Sequence, residues 1–291
     1  MNAPLPPEAD LPLHIAELWC YPVKSCAGIR LPRATLLDSG LEWDRTWMVV
    51  DADGEFVSQR ELPRMALIQP AFRMGQLALR APGMLALHLA LDAAESPLRV
   101  RVWDDTVEAY DMGDVAAQWF SDFLGQRVRL ARFDPEVRRL SSLKWTGGIE
   151  APNHFSDGYP LLVTSATAID DLNRRLAQAG QPVVDMRRFR PNIVLGGVEA
   201  HDEDRLSDIY LDAGGTLVHL QPVKPCARCP IPDVDPDTAT PGHSVTDALR
   251  GYRADSRLDG ALTFGMNAIV RAGTEAELAE GQTGAGAWGV W

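Results

Sequence analysis

The sequence predicts a mainly β chain with a few helices, an α+β fold of barrels or sandwiches. Two observations predict it. Between residues 13 and 110, short alternating or β-branched segments recur at regular spacing with turn residues between them. Only two segments, 113–124 and 166–178, carry a clear helical period.

Taken in order, residues 1–11 are Pro-rich and read as a flexible N-terminus. His14–Trp19 alternates loosely, and Arg45–Asp51 is β-branched and aromatic ahead of Asp53-Gly54, a hairpin signal. Further strands are expected at 66–72, 76–80, 84–91 and 98–110, with turns at Gly75, Pro82-Gly83 and Asp104-Asp105. In 113–124, Asp114 is placed to cap a helix whose apolar stripe is Val115, Trp119, Phe120 and Phe123. A loop-rich stretch follows to residue 160. Thr164 and Ser165 then open helix 166–178, with Ile169, Leu172 and Leu176 on one face and Ser165 as its cap. Strands are expected at 192–196, 208–223 and 261–271, separated by a Pro-, Asp- and Gly-rich stretch at 224–260, too long for an idle connection. The reading divides the chain into two mostly-β units, 12–132 and 133–291.

The 291 residues are 46% apolar and 23% charged, enough for a sizeable core and against disorder. A net charge of −12 argues against nucleic acid or an anionic membrane as partner, since phosphate backbones attract basic surfaces. The N-terminus lacks a basic start and apolar run, and no stretch approaches the ~20 apolar residues that span a bilayer. Four cysteines (Cys20, Cys26, Cys226, Cys229) then read as reduced thiols, and the expected location is cytoplasmic.

Three clusters carry candidate chemistry. The first is Lys224-Pro225-Cys226-Ala227-Arg228-Cys229-Pro230, where the flanking Lys224 and Arg228 would favour a thiolate. A structural zinc site needs four ligands, which Cys20 and Cys26 would have to complete. A thioredoxin-like pair belongs at a strand-to-helix turn, whereas this pair precedes a Pro-rich loop. A single functional cysteine in a cationic loop, or an inert buried one, completes the alternatives. The second cluster, Arg187-Arg188-Phe189-Arg190-Pro191-Asn192, offers planar guanidinium forks suited to phosphate or a pterin edge, or else a solvated basic loop. The third is Tyr21-Pro22-Val23-Lys24-Ser25 with Arg45 downstream. Brought together, the three would make an anion pocket with a thiolate in its floor. Gly-rich phosphate motifs are missing from the sequence, so side chains and isolated backbone donors would hold any phosphate.

At these residues, together with Asp44-Arg45-Thr46-Trp47, Gln59-Arg60-Glu61-Leu62-Pro63, Asp157-Gly158-Tyr159-Pro160 and Val234-Asp235-Pro236-Asp237-Thr238, the sequence resembles the MOSC superfamily. The likeness is to the two-part form, an N-terminal MOSC β-barrel domain followed by a MOSC β-barrel domain, which includes mitochondrial amidoxime-reducing components and bacterial relatives. The resemblance implies molybdenum cofactor (Mo-molybdopterin), with Cys229 as metal ligand and catalytic thiolate. It implies that Lys24, Ser25, Arg45, Arg190, Asn192 and Arg228 hold the pterin and its phosphate, and that Asp157 lies beside the metal pocket; as a catalytic group Asp157 would be the proton donor, which needs a raised pKa. Cys226 matches a position that is not a ligand, while Arg60 and Asp237 are as readily structural. Superfamily descriptions also extend to pyridoxal phosphate. The implied activity is reduction of N-hydroxylated compounds. Since no cysteine follows Cys229 to build an iron–sulfur domain, electrons are expected from a separate electron-transfer protein. A cofactor or sulfur carrier without turnover, and a zinc-stabilised interaction module, are the rival functions. The tail, Ala279 to Gly286, departs from the family pattern, so an altered or shortened closing strand is expected.

Overall fold

A computed structural model describes Pro6 and residues 8–289; most of the N-terminal stretch expected to be flexible lies outside the described residues. Seven strands close into a barrel. They are β1 (Leu11–Cys20), β2 (Leu161–Ser165), β3 (Ile193–Gly196), β4 (Leu206–Ala213), β5 (Thr216–Ala227), β6 (Ala261–Ala272) and β7 (Thr283–Trp288). Their order is β2-β3-β1-β7-β4-β5-β6, and β6 pairs back onto β2. Only the β2–β3 pair is parallel. Inward Leu13, Ile15, Leu18, Val163, Leu195, Leu211 and Leu220 fill the barrel and are essentially inaccessible. β1 comes from the N-terminal end of the chain yet is hydrogen-bonded between β3 and β7, so a cut at residue 132 leaves the barrel incomplete.

The intervening residues 47–133 form a second β unit. A four-stranded sheet (47–50, 129–133, 105–111, 96–102) and a three-stranded one (69–73, 76–80, 87–90) share a core with helix α1 (Gly113–Leu124). Trp119, Phe120 and Phe123 are buried there as the helical period predicts, but Val115 is 75% exposed and Ala116 takes its place. Asp114 lies inside the first turn rather than at the cap, which is Met112, and it pairs with Arg129 instead. Helix α2 (Ala166–Gln178) follows β2, with Leu172 and Leu176 inward. Ser165 occupies its N-cap position but does not cap it: the hydroxyl accepts from the His201 backbone N–H at 3.1 Å. Among the described residues no helix is long and apolar enough to cross a membrane.

The tail corrects a second expectation. β7 is a full barrel strand paired with β1 and β4, and its glycines are the reason it fits. A Cβ at Gly284 would meet the Tyr210 carbonyl oxygen within 2.1 Å, and one at Gly286 would meet Leu206 at 2.8 Å. Residues that look like loop composition thus permit close strand approach. The 224–260 stretch is likewise partly ordered: β5 runs on to Ala227, bulging around Pro222 and Pro225, and a short helix α3 occupies Ser244–Arg250.

Candidate functional site

Barrel topology gathers the three clusters at one end. β1 ends there, β2 and β3 begin there, and β5 ends there against the first residues of β6. All eight residues singled out above, from Lys24 and Ser25 to Arg228 and Cys229, line a single cavity, together with Phe56, Arg60 and Cys226. Strands nearly 200 residues apart in sequence, β1 and β5, therefore converge on one pocket.

Three of the residues that line it sit on strained backbone. Ser25, Arg45 and Arg190 have φ of 67°, 48° and 58°, left-handed values that cost ~1 kcal/mol or more for such side chains. The surrounding hydrogen bonds hold them there. Tyr21 N–H donates to Asp44 at 2.8 Å, and Arg45 N–H donates to the Tyr21 carbonyl. Arg45 Nη1 donates to Asp44 at 2.5 Å, and its Nη2 to the Arg190 carbonyl at 3.0 Å. The Arg45 and Arg190 guanidinium groups lie 4.4 and 4.3 Å from the centroid of the buried Tyr21 ring. Gly28 makes room for that ring, since a Cβ would come within 2.4 Å of it.

Two arginine donors here have nothing to bond. Arg190 gives Nη1 to the Cys26 carbonyl at 2.6 Å, but its buried Nη2 lacks a partner. Burial and the Arg45 charge bring the Arg190 guanidinium down to about 10. Arg228 gives Nη2 to the Phe189 carbonyl at 2.9 Å and Nη1 to the Cys226 sulfur at 3.0 Å, while its buried Nε is unpartnered. Buried donors of this kind are costly unless a ligand satisfies them. With Lys24, Arg45, Arg60, Arg190 and Arg228 around it, the cavity suits an anion carrying several acceptors, as phosphate and pterin do.

Lys24 is buried in the wall of the same cavity. Its Nζ donates to the Phe155 carbonyl at 2.8 Å and to Asp157 Oδ1 at 2.5 Å. Burial lowers the Lys24 ammonium from its ordinary range, against the pull of Asp157. Asp157 keeps 71% of its side chain exposed. Partial desolvation works against its ionisation, but the Lys24 charge and hydrogen bonds from Lys24 and Trp103 hold the carboxyl well below the usual range. That direction favours the anion, the reverse of what a carboxylic proton donor requires. Asn192 lines the cavity, yet its amide works as a clasp. Oδ1 accepts from Leu162 N–H at 3.1 Å and Nδ2 donates to the Trp19 carbonyl at 3.2 Å, tying β1, β2 and β3 together.

The cysteines separate into two kinds. Cys20 and Cys26 are fully buried, and burial pushes the Cys26 thiol up to about 12. Cys226 and Cys229 are half-buried at the cavity. Among the described residues no three His, Cys, Asp or Glu side chains gather as a metal-binding group, so the four-ligand zinc site is not assembled. The flanking cations do not both attend Cys229: Lys224 lies against the Trp145 and Tyr159 rings at 5.4 and 5.8 Å, and Arg228 reaches Cys226. Sequence reasoning missed Phe56 and Trp103 and left Arg60 undecided. The Arg60 guanidinium lies over the Phe56 and Trp103 rings at the edge of the cavity. A tryptophan in a hairpin turn was the available signal.

Residues 13–127 match the family model described as MOSC N-terminal beta barrel domain, and residues 150–283 match the MOSC domain. Mitochondrial amidoxime-reducing component 1 of Mus musculus is 34% identical over 249 residues, covering 82% of this chain and 71% of the relative. Mitochondrial amidoxime reducing component 2 of Homo sapiens is 32% identical over 249 residues, with 82% and 72% covered. Molybdenum cofactor sulfurase of Bos taurus is 29% identical over 267 residues, which are 85% of this chain and 30% of that one. These names overturn the cytoplasmic location expected from the N-terminus: relatives aligned over most of the chain are mitochondrial by name. None of them names pyridoxal phosphate.

Proposed function

Because the chain belongs to the MOSC family, joining the N-terminal beta barrel domain to the MOSC domain, we propose that it is a molybdenum-cofactor-dependent reductase of N-hydroxylated compounds. The observation that carries the reading is the meeting of a half-buried thiol, Cys229, with unsatisfied buried donors of Arg190 and Arg228 in one cavity. When bound, the cofactor supplies a two-electron redox centre with soft sulfur ligands. This chain contributes one sulfur, that of Cys229, so a cluster of protein ligands is not required. Arg190, Arg228, Arg45 and Lys24 neutralise the phosphate and pterin, while Ser25 adds a hydroxyl at the wall. Asn192 acts indirectly, keeping the strand ends that carry these groups in register.

The overall reaction is R–NH–OH + 2 H⁺ + 2 e⁻ → R–NH₂ + H₂O, with electrons from a separate electron-transfer protein. Asp157, ionised and exposed at the mouth, accepts a hydrogen bond from the substrate N–H or O–H and so aligns it. Of the Lys24–Asp157 pair, only Lys24 holds a proton to give, and burial loosens it. Amidoximes and hydroxamic acids are neutral enough to enter this cationic pocket. The test is steady-state reduction of benzamidoxime with an artificial electron donor by protein from a cofactor-competent host. Turnover that disappears in Cys229→Ser supports the reading. Cofactor bound without any N-hydroxy, N-oxide or S-oxide substrate consumed points instead to a cofactor or sulfur carrier.

A further inference from the structure

We propose that Trp103 forms a specificity wall at the mouth of this cavity, selecting N-hydroxylated compounds that bear a flat aromatic or heteroaromatic ring over aliphatic ones. The inference rests on the reductase reading for its reaction but on separate residues for its argument.

Trp103 opens the two-residue turn between strands 96–102 and 105–111, where Val102 faces Asp105. Its φ is 55°, a conformation that glycine or asparagine ordinarily fills and a bulky residue adopts only under constraint. Burial does not supply the compensation, since the residue remains 44% exposed. What holds it are contacts to residues of the site. The indole N–H donates to Asp157 Oδ1 at 3.1 Å. The ring meets Phe56 edge-on at 4.9 Å between centroids, and the Arg60 guanidinium lies 4.7 Å from its centroid. Phe56, Arg60 and Asp157 all line the cavity. A local rule of turn chemistry is thus broken at a position that touches three cavity residues and leaves much of an indole open to solvent, the pattern expected of a functional side chain.

The geometry decides what the wall recognises. Phe56 and the planar Arg60 guanidinium line the cavity, Trp103 packs against both from its rim, and the same indole bonds Asp157. A substrate whose N-hydroxy group is aligned by Asp157 would lay its carbon substituent against Trp103 and Arg60. A flat ring gains offset stacking there, whereas a methyl group gains little.

The test compares benzhydroxamic acid with acetohydroxamic acid, which share the reacting group, on cofactor-loaded wild type, Trp103→Phe and Trp103→Asn. Wild type is expected to favour the aromatic compound. Trp103→Asn, which suits the left-handed turn, should lower the ratio of the two kcat/KM values by roughly fivefold to tenfold with no fall in melting temperature. Trp103→Phe should keep the preference, separating the ring from its bond to Asp157. Calorimetric binding of benzamide, the product of the aromatic substrate, should weaken by the same factor in Trp103→Asn, without reference to turnover. An unchanged ratio and unchanged benzamide affinity overturn the proposal while leaving the reductase reading intact. A lowered melting temperature with both substrates equally impaired also overturns it, since Trp103 is then structural. If wild type reduces neither hydroxamate, the reductase reading fails and the benzamide titration still decides the role of Trp103.

Discussion

Replacing Gly28 with alanine tests the packing that aims two arginines into the cavity. The added Cβ would stand 2.4 Å from Tyr21 Cε1 and 2.9 Å from Cδ1 and Cζ, where ordinary contact begins near 3.4 Å. The ring must therefore retreat by about 1 Å into a core where Tyr21 is 1% exposed. Overpacking of this kind costs ~1–3 kcal/mol. The same ring carries the guanidinium groups of Arg45 and Arg190, contacts worth ~0.5–1 kcal/mol or more each, which are stretched rather than lost. A total of about 2 kcal/mol lowers the melting temperature by roughly 3 °C for a chain of this size. More telling than stability is aim: displaced arginines should retain less cofactor, read as molybdenum per chain after purification from a cofactor-competent host. Thermal melts and elemental analysis on one preparation decide it. A variant that melts with wild type and loads metal fully would refute the claim that Gly28 and Tyr21 set the arginines.

Three further outcomes follow from individual charged side chains. Burial, then the Asp204 charge, pushes the Glu203 carboxyl up to about 7 from 4.5, so the folded state holds this proton while the unfolded chain releases it. Its stabilising contribution is complete below about pH 4.5 and is lost as pH rises through 7, so Glu203→Gln should gain roughly 3 kcal/mol on wild type by pH 8 and almost nothing at pH 4.5. Neighbouring His201, brought down to about 4 chiefly by burial, has the opposite trend in both proteins, so only their difference is informative; parallel urea-denaturation curves at all pH values contradict the assignment. Arg139 clamps the segment leading to Asp157, donating Nη1 to Asn153 Oδ1 and to the His154 and Ser156 carbonyls at 2.6–2.8 Å and Nε to Asp105. Arg139→Ala should cost about 3 kcal/mol and lower kcat/KM, with lysine failing to rescue because it lacks the fork; an Arg139→Lys enzyme with wild-type kcat/KM excludes the clamp. Asp157→Asn keeps the shape but not the charge that aligns substrate, and should raise KM for benzamidoxime several-fold; an unchanged KM removes Asp157 from substrate binding.

Much of the site was legible because its residues announce chemistry by type. Lysine, arginine and cysteine beside prolines stand out from an arginine-rich, acidic chain, and six ordered motifs supported the family resemblance. Convergence on one cavity was not legible, because it depends on β1 closing a barrel whose other strands begin 140 residues later. Nor were the roles that hydrogen bonds assign. Nothing in the sequence shows that the Asn192 amide bridges β1 and β2, or that Lys24 stands 2.5 Å from Asp157. Helical periods found α1 and α2, but the caps failed: Asp114 lies one residue inside its helix and pairs with Arg129, while the Ser165 hydroxyl bonds the His201 N–H instead. The glycines of β7 misled for a related reason. Composition reads them as flexible, whereas the neighbouring strand, pressing within 2.1 Å of where a Cβ would be, requires them.

Cys229→Ser, prepared beside wild type from the same cofactor-competent cells and assayed for molybdenum and pterin, bears on everything proposed for this pocket. Wild type should carry close to one molybdenum and one pterin per chain, and the variant should lose the metal while remaining folded and keeping some pterin through Arg190 and Arg228. Equal molybdenum in both proteins, or zinc in place of molybdenum in wild type, contradicts that expectation.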